Sequence, residues 1–176
     1  MMQNYPQYNS KQKWNHWLSA IITLIVTIIL FIKVPASYVL GSMSHVYLLH
    51  KSLGVVIFIL TILRIYSIIK DKVPDVIPKR QKLQRILSKS VQGLIYILLF
   101  ILPLSGYLMS SRPLEVFGII SIPAIDMHND FYTFFHALHK CCSHLLVLLL
   151  IIHIAGALYH FFWYKDKVLQ SMLASK

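Results

Sequence analysis

The sequence predicts an all-α integral membrane protein, a four transmembrane helix bundle with both termini cytoplasmic. Three observations predict it. The chain of 176 residues is 57% hydrophobic and only 13% charged, too apolar for an ordinary soluble domain. Its apolar residues gather in four runs, each close to the length of about 20 residues that crosses a bilayer. Its Lys and Arg residues, 17 in all, fall mainly between those runs, as they do in integral membrane proteins.

The first run, "WNHWLSAIITLIVTIILFI", covers about 14–33. No Ala-x-Ala-type cleavage site follows it, so it is expected to stay as a helix. The second, "VYLLHKSLGVVIFILTILRIYSII", covers about 46–69, and the third, "VQGLIYILLFILPLSGYLM", about 91–109 with Pro103 inside it, where a kink is expected. The fourth covers about 136–163. Backbone groups in lipid must be satisfied within the segment, so all four are read as helices. Between them lie a loop at 70–90 and another at 112–135.

Charge sets the orientation. The N-terminal tail, the 70–90 loop and the C-terminal tail carry twelve Lys and Arg residues, while the other two loops carry only Lys33 and Arg112. The positive side faces the cytoplasm, so the 70–90 loop and both termini are placed there. The 112–135 loop, with Glu115, Asp126 and Asp130, faces outward and is expected to fold a short segment over the outer mouth of the bundle. The whole chain, 1–176, reads as a single membrane domain.

Composition also excludes functions. The formal net charge of +11 comes with no nucleic-acid-binding motif. Cys141 and Cys142 are adjacent, and neighbours on a helix point apart, so no disulfide framework is implied. The absence of Cys-x-x-Cys-His excludes covalent c-type haem attachment.

Nine histidines carry the chemistry: 16, 45, 50, 128, 136, 139, 144, 153 and 160. A helix turns about 100° and rises about 1.5 Å per residue, so the fourteen residues from His139 to His153 return to within about 40° of one face, about 21 Å along. His160, seven residues further, stays on that stripe. His144 is turned away by about 140°, and His136 lies about 60° off, in the outer turn. His16 starts the first span on the cytoplasmic side and His50 starts the second on the outer side. Two levels follow, His16 with His153 inside and His50 with His139 outside.

Two facing imidazoles in an apolar bundle make the axial pair of a b-type haem. Zinc wants a third or fourth ligand nearby, and none is evident. Hydrogen-bonded helix packing is the bland use of a membrane histidine, and a proton path or transport site is the other functional one.

The chain resembles bacterial cytochrome b561, a family whose characterised member is a superoxide oxidase. The matching residues run over essentially the whole chain. They are "HW" at His16–Trp17, "LLHKSLG" with Arg64 fourteen residues after His50, "VIPK" ending at Lys79, and "LIYILLFILPLSGYLM" around Pro103 and Gly106. "FG" at 117–118 before Pro123, histidines 139, 153 and 160, and "KD" at 165–166 complete the set. The resemblance implies a four-helix protein with two haem b groups held by His16, His50, His139 and His153. It implies superoxide oxidation at the outer face and reduction of ubiquinone near Lys79 and His160. Two departures stand out: Gln92 sits where the family often has a histidine, and Lys51 and Lys140 follow the outer ligands without being part of the pattern.

Other polar residues have two readings each. Arg64 is a charge partner for an inner haem propionate, or it snorkels to the cytoplasmic surface. Lys51 and Lys140 neutralise propionates and draw an anion inward, or snorkel to the outer interface. Lys79 and His160 supply hydrogen bonds and a proton to a quinone, or Lys79 is a positive-inside anchor. Gly54 and Gly156 let a macrocycle approach the backbone, or are ordinary helix-contact glycines. Two rival functions remain at this point. One is an anchor and electron-transfer subunit of a hydrogenase or formate dehydrogenase, working through a redox partner protein. The other is a haem-free transporter or scaffold.

Overall fold

The computed structural model describes residues 5–77 and 82–173. Four helices in it are long and apolar enough to cross a membrane. They are α1 (Ser10–Phe31), α3 (Met43–Asp71), α4 (Lys82–Leu108) and α5 (Asn129–Tyr159), with a π-helical turn, His160–Tyr164, continuing α5. Short helices α2 (Lys33–Leu40) and α6 (Val168–Met172) and a two-stranded hairpin, β1 (Leu114–Val116) and β2 (Ile120–Ile122), complete the chain.

Helices α1 and α3 start ahead of their apolar windows because side-chain caps set their N-terminal ends. Asn9 and Gln12 form a reciprocal capping box: the Gln12 amide donates to Asn9 Oδ1 at 2.8 Å and the Asn9 amide to Gln12 Oε1 at 3.2 Å. That starts α1 four residues before the apolar run. Ser42 caps α3 by accepting from the His45 amide at 3.2 Å. Gly41 ends α2 with φ 87°, the left-handed geometry that favours glycine. α4 begins well inside the segment read as loop, and α5 begins seven residues before its predicted start.

α1 packs on α3, α3 on α4, and α4 on α5, while no comparable packing joins α1 to α5. The core is a seam at mid-height: Ile57 from α3, Val91, Ile95, Leu98 and Leu99 from α4, and Leu146 and Leu149 from α5. Large apolar side chains such as Leu24, Ile28, Leu63, Leu148 and Ile151 point outward, as lipid-facing residues do. Two fully buried hydroxyls bond to their own helix: Ser52 donates to the Leu48 carbonyl at 2.7 Å and Thr61 to that of Ile57 at 2.8 Å. Their small size lets the helices approach closely.

One end of the bundle gathers the chain termini and the end of α3. Tyr8 N donates to the Ser171 carbonyl at 3.3 Å and Trp17 Nε1 to that of Met172 at 2.9 Å. Gln12 Nε2 reaches the Lys72 carbonyl at 3.0 Å, and Asn9 Nδ2 reaches Asp71 at 2.9 Å. The hairpin covers the opposite end. Its turn places Phe117 at φ 51° and Gly118 at φ 69°, both positive as tight hairpins require. Phe117 pays for that geometry, being no glycine, and its amide is held at 2.7 Å by the hydroxyl of fully buried Ser52. Tyr107 ties the following segment down by donating to the Pro123 carbonyl at 2.6 Å.

Candidate functional site

The structure brings histidines together at two levels. Near the termini, His16 on α1 faces His153 on α5, with ring centroids 6.4 Å apart and planes at 64°. Near the hairpin, His50 on α3 faces His139 on α5, again at 6.4 Å and with planes at 76°. Both pairs use the fourteen-residue stripe on α5. The first joins α1 to α5, which pack on each other less closely than the neighbouring helices do.

The fit of a bis-imidazole metal group can be tested on these distances. Imidazole–metal bonds are about 2.0–2.1 Å long and a ring centroid lies about 1.1 Å behind its nitrogen, so two rings on one ion stand about 6.2–6.4 Å apart. Both pairs match. His16 and His50 each also have a buried Nδ1 with no partner among the described residues. Leaving such atoms without company is costly, and the rings are therefore set up for a group that occupies the space beside them. No cluster of three or more His, Cys, Asp or Glu side chains exists among the described residues. Each level offers two imidazoles and no third ligand, a donor set that suits the iron of a macrocycle and not zinc.

A cavity of about 530 Å³ opens beside the hairpin-level pair, within the range of cofactor pockets. Its walls are mostly apolar, and Gly54 lines it. A Cβ built on Gly54, or on Gly156, meets nothing within 4 Å. Lys33, Lys51 and Lys140 also border the cavity, and among the described residues no Asp or Glu does. His136 and His144 stand on the same wall. His144 points its Nδ1 at the Lys140 carbonyl, 2.6 Å away, and stays exposed.

His139 is tethered to α4. Its Nδ1 donates to the Leu102 carbonyl at 3.0 Å, with Ser105 Oγ at 3.1 Å. That fixes the tautomer and leaves Nε2 free to bind a metal.

At the level near the termini, the Arg64 guanidinium lies 4.9 Å from the centre of the Tyr96 ring on α4. It is half-buried, points across the bundle, and lies within electrostatic range of both His16 and His153. No carboxylate pairs with it among the described residues. Tyr8 sits beside it. Burial raises the Tyr8 phenol above its ordinary pKa, Tyr96 adds to the shift and the Arg64 cation opposes it.

The two residues expected to serve a quinone are not seen together. Lys79 lies outside the described residues. His160 is buried, its Nδ1 2.5 Å from Asp166 Oδ2, and Asp166 in turn accepts the Val168 amide at 3.1 Å. His160 is thereby part of a clasp holding the C-terminal tail. Gln92 donates to Ser88 Oγ at 3.0 Å. Sequence reasoning missed the Leu102–Ser105–Gly106 contact with His139, the Tyr96 and Tyr8 neighbours of Arg64, and the Ser52–Phe117 bond. For the first, the "PLSG" segment was a visible signal. The others join positions too far apart in the chain for any local pattern to reveal.

A four-helix membrane protein with two facing imidazole pairs, one above the other, belongs to the class of membrane cytochromes. The profile of prokaryotic cytochrome b561 matches residues 7–175, and the chain belongs to that family. Cytochrome b561 homolog 2 of Escherichia coli (strain K12) is 32% identical over 162 residues, covering 90% of this chain and 86% of that protein. The probable superoxide oxidase CybB of Yersinia pestis is 25% identical over 178 residues, covering 98% of each. Family membership carries b-type haem binding and electron transfer in a bacterial membrane.

Proposed function

We propose that this chain holds two haem b groups and moves electrons from superoxide at the outer face to ubiquinone at the inner face of the bacterial inner membrane. The observation that carries the reading is the pair of 6.4 Å histidine contacts at two levels. His16 and His153 hold the inner group, and His50 and His139 the outer one. When bound, the haems supply the one-electron couples between the two faces.

The protein's own part is binding, field and access. The end that carries the termini is the cytoplasmic one, by the excess of Lys and Arg there. The hairpin end is then outer, and its cavity rim of Lys33, Lys51 and Lys140 without a carboxylate is electropositive. Such a rim raises the encounter rate of a small anion. Two superoxide anions each lose one electron there and leave as dioxygen, which requires no protein acid or base. One ubiquinone takes the two electrons and two protons at the inner face. Arg64, a cation with no carboxylate partner among the described residues, is suited to an inner propionate. Lys79 and the ring nitrogen of His160 not bonded to Asp166 are the groups assigned to the quinone. The name of the Yersinia pestis relative supports the superoxide half of the reading.

The test mixes purified protein with a superoxide source and a soluble ubiquinone. Quinol formation dependent on both is expected. A protein carrying haem but forming no quinol, and co-purifying with a dehydrogenase or hydrogenase subunit, would overturn the oxidase reading in favour of an anchor.

A further inference from the structure

The glycine that matters to a ligand histidine lies on α4. A Cβ built on Gly106 would stand 3.2 Å from Cε1 and 3.4 Å from Nδ1 of His139. On the same helix face, the Leu102 carbonyl accepts from His139 Nδ1 at 3.0 Å, and Ser105 Oγ lies 3.1 Å from that nitrogen while donating to the same carbonyl at 3.0 Å. Pro103 stands between them inside the helix. The imidazole is therefore wedged against helix backbone on one side and tethered by one nitrogen. Among the described residues, the Nδ1 atoms of His16 and His50 are buried without a partner of this kind.

We infer that the Leu102–Gly106 segment of α4 positions His139, and that through it the two haem sites are made unequal. The inference rests on the haem reading above. A hydrogen bond from the far nitrogen to a carbonyl makes an imidazole a stronger electron donor to a metal and fixes its rotation. His139 is thus a stronger electron donor than the same ring would be without its tether. A stronger donor favours the oxidised iron, so the segment lowers the outer potential relative to what an untethered histidine would give. Gly106 permits the arrangement, because a Cβ there would stand 3.2 Å from the ring and press it aside by a few tenths of an ångström. These are positioning residues and touch no substrate.

The experiment is a redox titration of purified protein, with haem content measured on the same samples, for the unaltered chain, Gly106→Ala, Gly93→Ala and Ser105→Ala. Gly93 is the control: it lies on the same helix, and a Cβ there meets nothing within 4 Å. Alanine is the better helix former, so a loss seen only at 106 is not a matter of propensity. For Gly106→Ala, one of the two midpoints is expected to rise while the other stays, or the outer haem is lost outright. Gly93→Ala should leave both midpoints where they are. Ser105→Ala removes the hydroxyl without adding bulk and should move the same single midpoint, which keeps the test open if Gly106→Ala fails to fold. Two haems with unchanged midpoints in both Gly106→Ala and Ser105→Ala would overturn the inference alone. Equal shifts in Gly93→Ala would overturn it as well. Absence of haem from the unaltered chain would overturn the haem reading itself.

Discussion

If His16 pairs with His153 and His50 with His139, haem stoichiometry depends on which histidines are removed together, and not on how many. Each pair is separated by 6.4 Å between ring centroids, room for one metal ion. The two levels are about 21 Å apart along α5, too far for one macrocycle to exchange partners between them. A single His16→Ala therefore removes one ligand of the inner group and leaves the outer one intact. The ratio of haem to chain is expected to fall from about two to about one. His16→Ala with His153→Ala removes the second ligand of the same group and is expected to stay at about one, a fully non-additive result. His16→Ala with His50→Ala breaks both levels and is expected to fall to about zero, an additive one. The assay is the reduced-haem spectrum against protein concentration, taken on the monodisperse peak from size exclusion so that unfolded material is not counted. Truncating a half-buried histidine costs about 1–3 kcal/mol of stability, and growth at low temperature offsets that. Loss of both haems in the His16/His153 double variant, with one retained in the His16/His50 variant, would refute the pairing.

Other outcomes follow from the same geometry. Ser52→Ala deletes the acceptor of the Phe117 amide and should cost about 1 kcal/mol, seen as a lower Tm with faster proteolysis of the hairpin. An unchanged cleavage rate would show that the hairpin is anchored elsewhere. Replacing Lys51 and Lys140 by glutamine should slow superoxide-driven quinone reduction at low ionic strength and have little effect above about 0.5 M salt, since screening removes steering. An equal loss at every salt concentration would point to a contact role. His144→Ala should keep the full haem content, because its Nδ1 is bonded to its own helix at Lys140. His160→Gln should loosen the tail held through Asp166. If His160 also serves the quinone, the KM for quinone rises in the variant, and a wild-type KM with only a lower Tm would leave it as a clasp residue.

Much of this molecule is written in local pattern. Bilayer thickness demands long apolar runs, and backbone satisfaction in lipid demands that they be helices. The four spans are thus legible from hydropathy alone. The helical period then places His139, His153 and His160 on one stripe whatever surrounds it. The hairpin was harder to see. A short segment over the outer mouth was expected, but its strand pairing depends on Phe117 and Gly118 at positive φ and on a hydroxyl of α3. Helix α2 and the early starts of α4 and α5 lay in stretches read as loop, because headgroup-level helix carries no hydropathic signal.

What the sequence by itself determined is the number of helices, the family, and the depth of each histidine, since all three depend on spacing along the chain. What only the tertiary structure decided is which neighbours those histidines meet. The facing of His16 and His153, the turn of Arg64 toward Tyr96, the Gly106 cradle of His139 and the Asp166 partner of His160 are relations between surfaces. Gly54 and Gly106 look alike as letters near a ligand, yet only Gly106 has an imidazole where its side chain would be. Periodicity fixes the direction of a side chain about its own helix axis. The rotation and approach of the next helix, which come from packing over the whole interface, decide what it touches.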